Sequence, residues 1–315
     1  MAKLSFQYVR GPQGQETLVD FLTRRFRYHD ALEWSALVQE GHVTVNGNAA
    51  PPHLPLKSGH RILYQPPPKP EPEVDPRFSV LFEDEHLVAL EKSGNLPTSP
   101  SGKYWEHCLV HIAQRELRVP RLFAVHRLDR ETSGVNLLAK TAEAAGRLGD
   151  AFSQGRVQKA YTAVLQGRLA ARVAHVCAPL GDDPTGEIHI RQTARRDGRA
   201  AATRFTLLAR LPGASLVRVE PLTGRTHQIR VHAREIGHPV WGDKLYGRSD
   251  AEFLAWVGQP RRRDAPRQLL HASLLCLSHP LTGEPLTLRS GPKVLLEQFY
   301  DELSRTPENS VPTRK

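Results

Sequence analysis

The chain has 315 residues, 39% hydrophobic and 24% charged, with a formal net charge of +10. That length holds one large domain, or a large and a small one, each with a core of its own, and the excess of cations favours a polyanionic partner such as nucleic acid. No apolar run is long enough to span a bilayer, and the start Met1-Ala2-Lys3-Leu4-Ser5-Phe6 lacks the apolar core of a signal peptide.

In chain order, Leu18, Phe21, Leu22 and Phe26 recur at helical spacing, and Leu32 with Ala36 and Leu37 suggests a second helix ending at Gly41. Alternation from His42 to Val45 then runs into Asn46-Gly47, a hairpin signal. The stretch Pro66-Pro67-Pro68-Lys69-Pro70-Glu71-Pro72 admits neither helix nor central strand, because proline lacks the donor and fixes φ. It reads as a stiff linker. The expected organisation is therefore a small domain over 1–65, a linker over 66–77, a large domain over 78–305 and a polar, frayed tail over 306–315.

In the large domain, short strands are expected near Ser79–Phe82 and His86–Leu90, and helices near Trp105–Leu117 and Ala142–Gln154. Strands follow near Val157–Leu165, Ala201–Leu208 and Ser215–Val219, then a helix near Thr226–Ile236 and a last one near Val294–Ser304. Strands outnumber clean βαβ units, so the expected fold is α+β, with a mixed or mostly antiparallel central sheet flanked by helices. Cys108, Cys177 and Cys276 are odd in number, far apart and without metal-ligand spacing, and read as reduced thiols of a cytoplasmic protein.

The cations are concentrated. From Arg191 to Arg234 there are ten arginines against two acids, Asp197 and Glu220, and no lysine. Arginine makes forked contacts to phosphate, so this segment is the expected RNA track. The acid that stands out is Asp129, in His126-Arg127-Leu128-Asp129-Arg130-Glu131-Thr132-Ser133-Gly134, next to the apolar run Val135, Leu137, Leu138, Ala139. An inward-facing acid there is costly unless it is paired or used, which makes it a candidate reactive carboxylate in a cleft.

That nonapeptide resembles the signature His-Arg-Leu-Asp-x-x-Thr-Ser-Gly of the RluA family of pseudouridine synthases, with every fixed position filled. Three more stretches resemble the same family: Lys92-Ser93-Gly94 onward, with Ser93 where the family usually has proline; Gln158-Lys159-Ala160-Tyr161; and Gly224-Arg225-Thr226-His227-Gln228-Ile229-Arg230-Val231-His232, continuing to Gly242-Asp243. The resemblance implies a mixed sheet with a cleft across it and the isomerisation of uridine to pseudouridine in structured RNA. Large-subunit ribosomal RNA is favoured as substrate and transfer RNA stays open. So do a non-catalytic RNA-binding or ribosome-assembly protein on the same fold and a uracil-releasing glycosylase. The reaction breaks a C–N glycosidic bond, turns the base and forms a C–C bond to the same ribose. Nothing is oxidised and no group is lost, so no cofactor and no metal is expected.

The resemblance implies that Asp129 is the catalytic carboxylate, either attacking C1′ or assisting through a glycal. It makes Tyr161 the residue that stacks on the base, Arg230 the ionic partner of Asp129, and Arg127 either a filler of the gap left by the extruded nucleotide or a phosphate or ion-pair contact. His126, Thr132, Arg225 and His227 complete the RNA-facing set, with Arg225 a phosphate or structural contact. Thr226 is expected to cap the helix that follows, and His227, Arg230 and Arg234 to share one of its faces. Lys159 is placed on the opposite strand face from Tyr161 and given no role. His227 and His232, five apart, diverge too far for a metal site.

Residues 15–65, with Glu40-Gly41-His42-Val43-Thr44-Val45-Asn46-Gly47 and Lys57-Ser58-Gly59-His60-Arg61-Ile62, resemble an S4 RNA-binding domain. The second helix departs from that pattern, because Asp30, Glu33 and Glu40 stand where S4 domains carry basic residues; Arg24, Arg25 and Arg27 compensate from the first helix, or the module packs without binding RNA. A monomer is expected.

Overall fold

The computed structural model describes residues 4–9, 14, 16–26, 29–67, 71–184, 188–257 and 267–305. Arg27, linker residues 68–70 and the tail 306–315 lie outside them. The chain forms two compact units, Met1–Glu71 and Pro72–Lys315.

The first unit contains β1 (Leu4–Gln7), α1 (Leu18–Arg25), α2 (Ala31–Gln39), β2 (Val43–Val45), β3 (Asn48–Ala49) and β4 (Arg61–Tyr64). Both helices begin in capping boxes, Thr17 with Asp20 and Asp30 with Glu33, in which a side chain and a backbone N–H at each end satisfy one another. The strands form an antiparallel sheet in the order β1-β4-β2-β3. The β2–β3 turn follows from its residues: Asn46 and Gly47 take φ of +54° and +83°, the left-handed pair a two-residue hairpin needs. Leu18, Leu22, Trp34, Val38, Val43 and Ile62 form the core. Leu32, read above as part of the apolar stripe of α2, is 81% exposed; Trp34, Leu37 and Val38 are the buried stripe instead.

The second unit opens with β5 (Phe78–Glu83), β6 (Leu87–Lys92), α3 (Leu109–Glu116), β7 (Phe123–Ala124), β8 (Ser133–Ala139), α4 (Ala142–Ser153) and β9 (Gln158–Gln166). It continues with β10 (Val173–Cys177), β11 (Leu180–Asp182), β12 (Gln192–Ala194), β13 (Ala202–Leu211), β14 (Ala214–Pro221), α5 (Gln228–Glu235), α6 (Asp250–Val257), β15 (Leu270–Ser278), β16 (Pro285–Arg289) and α7 (Lys293–Arg305). Ten strands make one sheet in the order β10-β13-β14-β9-β15-β8-β6-β5, with β16 added to β15 and β7 to β8. All these pairings are antiparallel except β8 with β15. The expected α+β class with a mixed, mostly antiparallel sheet flanked by helices is what is found.

The parallel joint positions the site. β8 is buried at all seven residues, which is why its sequence shows no alternation of apolar and polar positions. Gly134 takes φ +104° directly beside the backbone of Ala272 on β15, where an added Cβ would collide with the Ala272 carbonyl. The chain enters β8 from the Asp129 loop. On the other half of the sheet, α5 packs Ile229 and Ala233 against Ala163, Phe205, Val217 and Val219. The carboxylate loop and the basic helix thus meet over β9.

Candidate active site

The Asp129 loop is held by the stretch 91–100, left without a role in the sequence analysis. Lys92 is fully buried at the end of β6, and its ammonium donates to the carbonyls of Ser93 (2.8 Å), Leu96 (2.7 Å) and Arg130 (3.2 Å). Burial pulls its pKa down to about 7, and the three carbonyl dipoles replace the water it has lost. The Thr98 hydroxyl meets both the N–H and the carbonyl of Leu128, at 3.1 and 3.2 Å. Thr132 N–H closes a turn onto the Asp129 carbonyl at 3.0 Å.

Arg230 reaches this loop from α5. Its Nη1 donates to Asp129 Oδ2 at 2.9 Å, while Nε and Nη2 fork onto Asp243 at 2.7 and 2.9 Å. Asp243 is wholly buried and also accepts the backbone N–H groups of Leu245 and Tyr246. One guanidinium is therefore braced by one carboxylate while it presents its free edge to another, which remains 30% exposed. Burial pushes the Asp129 carboxyl up. The charge of Arg230, joined by that of His227 only at the acid pH where its ring is protonated, and hydrogen bonds from Arg230 and Gln268 outweigh that and hold it below the ordinary range. Asp129 is an ionised, partly open carboxylate with a cation fixed on one side.

His227 lies on the other side, with Nε2 4.0 Å from Asp129 Oδ1. Tyr161 projects from β9 toward the same carboxylate, and burial, then the Asp129 charge, raise its phenol well above the usual value. Arg127, two residues before Asp129, is exposed. Arg225 is half-buried, and its Nε donates to the Ala200 carbonyl.

Four expectations need correction. His126 does not face outward: its ring stacks on Phe152 and its Nε2 accepts the Leu137 N–H, while burial and then the Lys159 charge pull its pKa down to about 3. Thr132 is buried, and its hydroxyl accepts from Gln268 Nε2 at 2.7 Å. Both belong to the scaffold under the loop and not to an RNA-facing surface. Lys159 shares a face with Tyr161, since residues two apart in a strand point the same way; its Nζ lies near the Thr223 carbonyl and repels Arg225. The helix is capped by His227, in the left-handed conformation with φ +55°, and not by Thr226, so the stripe of His227, Arg230 and Arg234 breaks up and Arg234 is exposed elsewhere.

The arginine-rich segment is also not one track. Arg191 is buried and paired with Asp250, Arg195 pairs with Asp197 and Arg218 with Glu220, while Arg204 and Arg210, on either side of the bulge in β13, lie on opposite faces of the sheet. His232 turns away from His227 into the scaffold, bonded to Thr203 and the Ala178 carbonyl. Lys92 and Asp243 stand in the quoted motifs without a role, and Tyr246 and Gln268 gave no sequence signal of their own. They are recognised only by what they touch.

An aspartate, an arginine and a tyrosine thus converge over the centre of a mixed sheet, and comparison with known proteins gives the class of enzyme that this fold belongs to. The chain superposes on the human RNA pseudouridylate synthase domain containing 1 with a TM-score of 0.57 and 25% identity, covering 76% of this chain and 100% of that one. The human domain containing 4 gives 0.54 and 26%, covering 70% and 91%. Residues 86–235 match the RNA pseudouridylate synthase family. Ribosomal large subunit pseudouridine synthase D of Nitrosomonas europaea is 35% identical over 243 residues, 74% of this chain and 67% of its own length. Ribosomal large subunit pseudouridine synthase C of Escherichia coli is 34% identical over 270 residues, 81% and 82% of the two chains. The protein belongs to the RluA family of RNA pseudouridine synthases.

Proposed function

We propose that this enzyme isomerises uridines of large-subunit ribosomal RNA, with Asp129 as the carboxylate that acts at the ribose. The observation that carries the reading is the Asp129–Arg230–Asp243 array, which keeps a carboxylate charged at a partly open site. Arg230 sets its charge and angle. Tyr161, across from it on β9, offers the detached uracil an aromatic face. The exposed Arg127 takes the space the nucleotide leaves. The ribosomal target is inferred from what the bacterial relatives are named for.

The bonds balance within the nucleotide. The N1–C1′ bond breaks, the base turns, C5 bonds to C1′, the proton on C5 leaves to solvent, and N1 takes up a proton. Isomerisation can therefore be followed as tritium released from RNA labelled at uridine C5.

We further infer that the first unit is an S4-like RNA-binding module. Its two capped helices followed by the Asn46-Gly47 hairpin support this reading.

The test is deletion of the gene in its host and mapping of pseudouridine across total RNA by carbodiimide-dependent reverse-transcription stops. One or more stops in large-subunit ribosomal RNA are expected to vanish, returning with the wild type and not with Asp129→Asn. The variant is expected to bind RNA normally. Stops lost from transfer RNA instead would move the target, and rescue by Asp129→Asn would remove Asp129 from the chemistry.

A further inference from the structure

Tyr246 lies outside the motifs of the family resemblance, yet it touches both groups that flank Asp129. Its ring lies under the Arg230 guanidinium, with the cation 4.9 Å from the ring centroid. Its hydroxyl lies 2.8 Å from His227 Nδ1. The residue itself is buried, and its backbone N–H is tied to Asp243.

Counting protons decides what these contacts mean. The Tyr246 oxygen already accepts the backbone N–H of Gln192 at 2.9 Å. A hydroxyl has one proton to donate, and among the described residues His227 Nδ1 is the acceptor within its reach. Nδ1 is then an acceptor. Burial pulls the imidazole pKa below its ordinary value, so at neutral pH the ring carries one proton, on Nε2. That N–H points toward Asp129 Oδ1 across 4.0 Å, too far for a hydrogen bond and on the side Arg230 does not occupy.

The backbone supports a dedicated position. His227 is held at φ +55° and ψ +14°, a conformation unusual for a residue with a side chain. The Gln228 side chain pins the turn: its amide oxygen accepts from Arg225 N–H and the Thr223 hydroxyl, and its amide nitrogen donates to the Ala202 carbonyl and Thr203.

We propose that Tyr246 fixes His227 as the tautomer protonated on Nε2, and that this N–H donates a hydrogen bond to the uracil as it detaches at Asp129. The inference rests on the reading of Asp129 as the reacting carboxylate. When the N1–C1′ bond breaks, its electron pair stays with the base. A fixed donor stabilises that charge, and a neutral one does so without handing over a proton that would quench the ring before C5 attacks C1′. His227 is then a catalytic residue and Tyr246 a positioning residue.

The test combines spectroscopy with turnover. In the full-length protein labelled with 15N-histidine, the His227 ring, assigned by its loss in His227→Asn, should show protonated Nε2 and bare Nδ1. Tyr246→Phe should give a tautomer mixture and lower kcat about tenfold with KM unchanged. The RNA is total C5-tritiated RNA from the host lacking this gene. His227→Asn suits the left-handed backbone but has no donor near Nε2, and should cost about a hundredfold in kcat; His227→Gln, whose amide N–H falls near Nε2, should recover most of it. Protonated Nδ1 in the wild type, or equal activity of the Asn and Gln variants, would overturn the proposal. No tritium release by the wild type would instead sink the functional reading, and the donor role with it.

Discussion

At Asp129, burial and charge pull in opposite directions, and the guanidinium of Arg230 decides the outcome. The folded carboxyl lies below its ordinary value of 3.8, so its contribution to stability is present above 3.8 and is lost as pH falls through the folded value. Activity should accordingly show no acid limb from Asp129 between pH 5 and 8. Arg230→Met removes the counter-charge: the carboxyl rises, an acid limb enters that window, and kcat falls at least about a hundredfold by tritium release. The same variant leaves Asp243 buried without its cation, at a cost of about 3–5 kcal/mol read in a urea melt. Asp129 was legible because a lone acid before an apolar run is a local anomaly. Its partner is 101 residues away, and only the family resemblance pointed to it.

Among the elements, the helices and outer strands were legible because one face of each is wet, so their periodicity survives in the sequence. β8 was not read as a strand: with both faces covered, its residues carry no alternation to detect. Its geometry makes a sharp prediction. Gly134→Ala meets the Ala272 backbone from a left-handed φ and should cost about 3 kcal/mol or more, separating β8 from β15 and moving the Asp129 loop. Gly146→Ala, on the exposed side of α4 with open space around it, should stabilise by about 0.5–1 kcal/mol. Paired denaturant melts check both.

For the whole molecule, each unit has its own buried clusters, so residues 72–315 should fold alone with one cooperative transition and keep the kcat of the full chain. RNA affinity should fall by no more than about tenfold, and the salt dependence of binding by about one phosphate contact, because Arg24 is already engaged by Glu16 and α2 opens on Asp30 and Glu33. Filter binding across a salt series measures both. The amino-acid sequence by itself determined the family, the α+β class and the Asn46-Gly47 hairpin, and it singled out Asp129 and the proline-rich stretch, because each is written in neighbouring residues. Only the tertiary structure decided that His126 and Thr132 are scaffold, that the arginines scatter over several surfaces, and that Asp243 and Tyr246 stand behind Arg230 and His227. Those outcomes depend on groups brought together across a sheet, and such distances leave no period, spacing or run in the chain to be read.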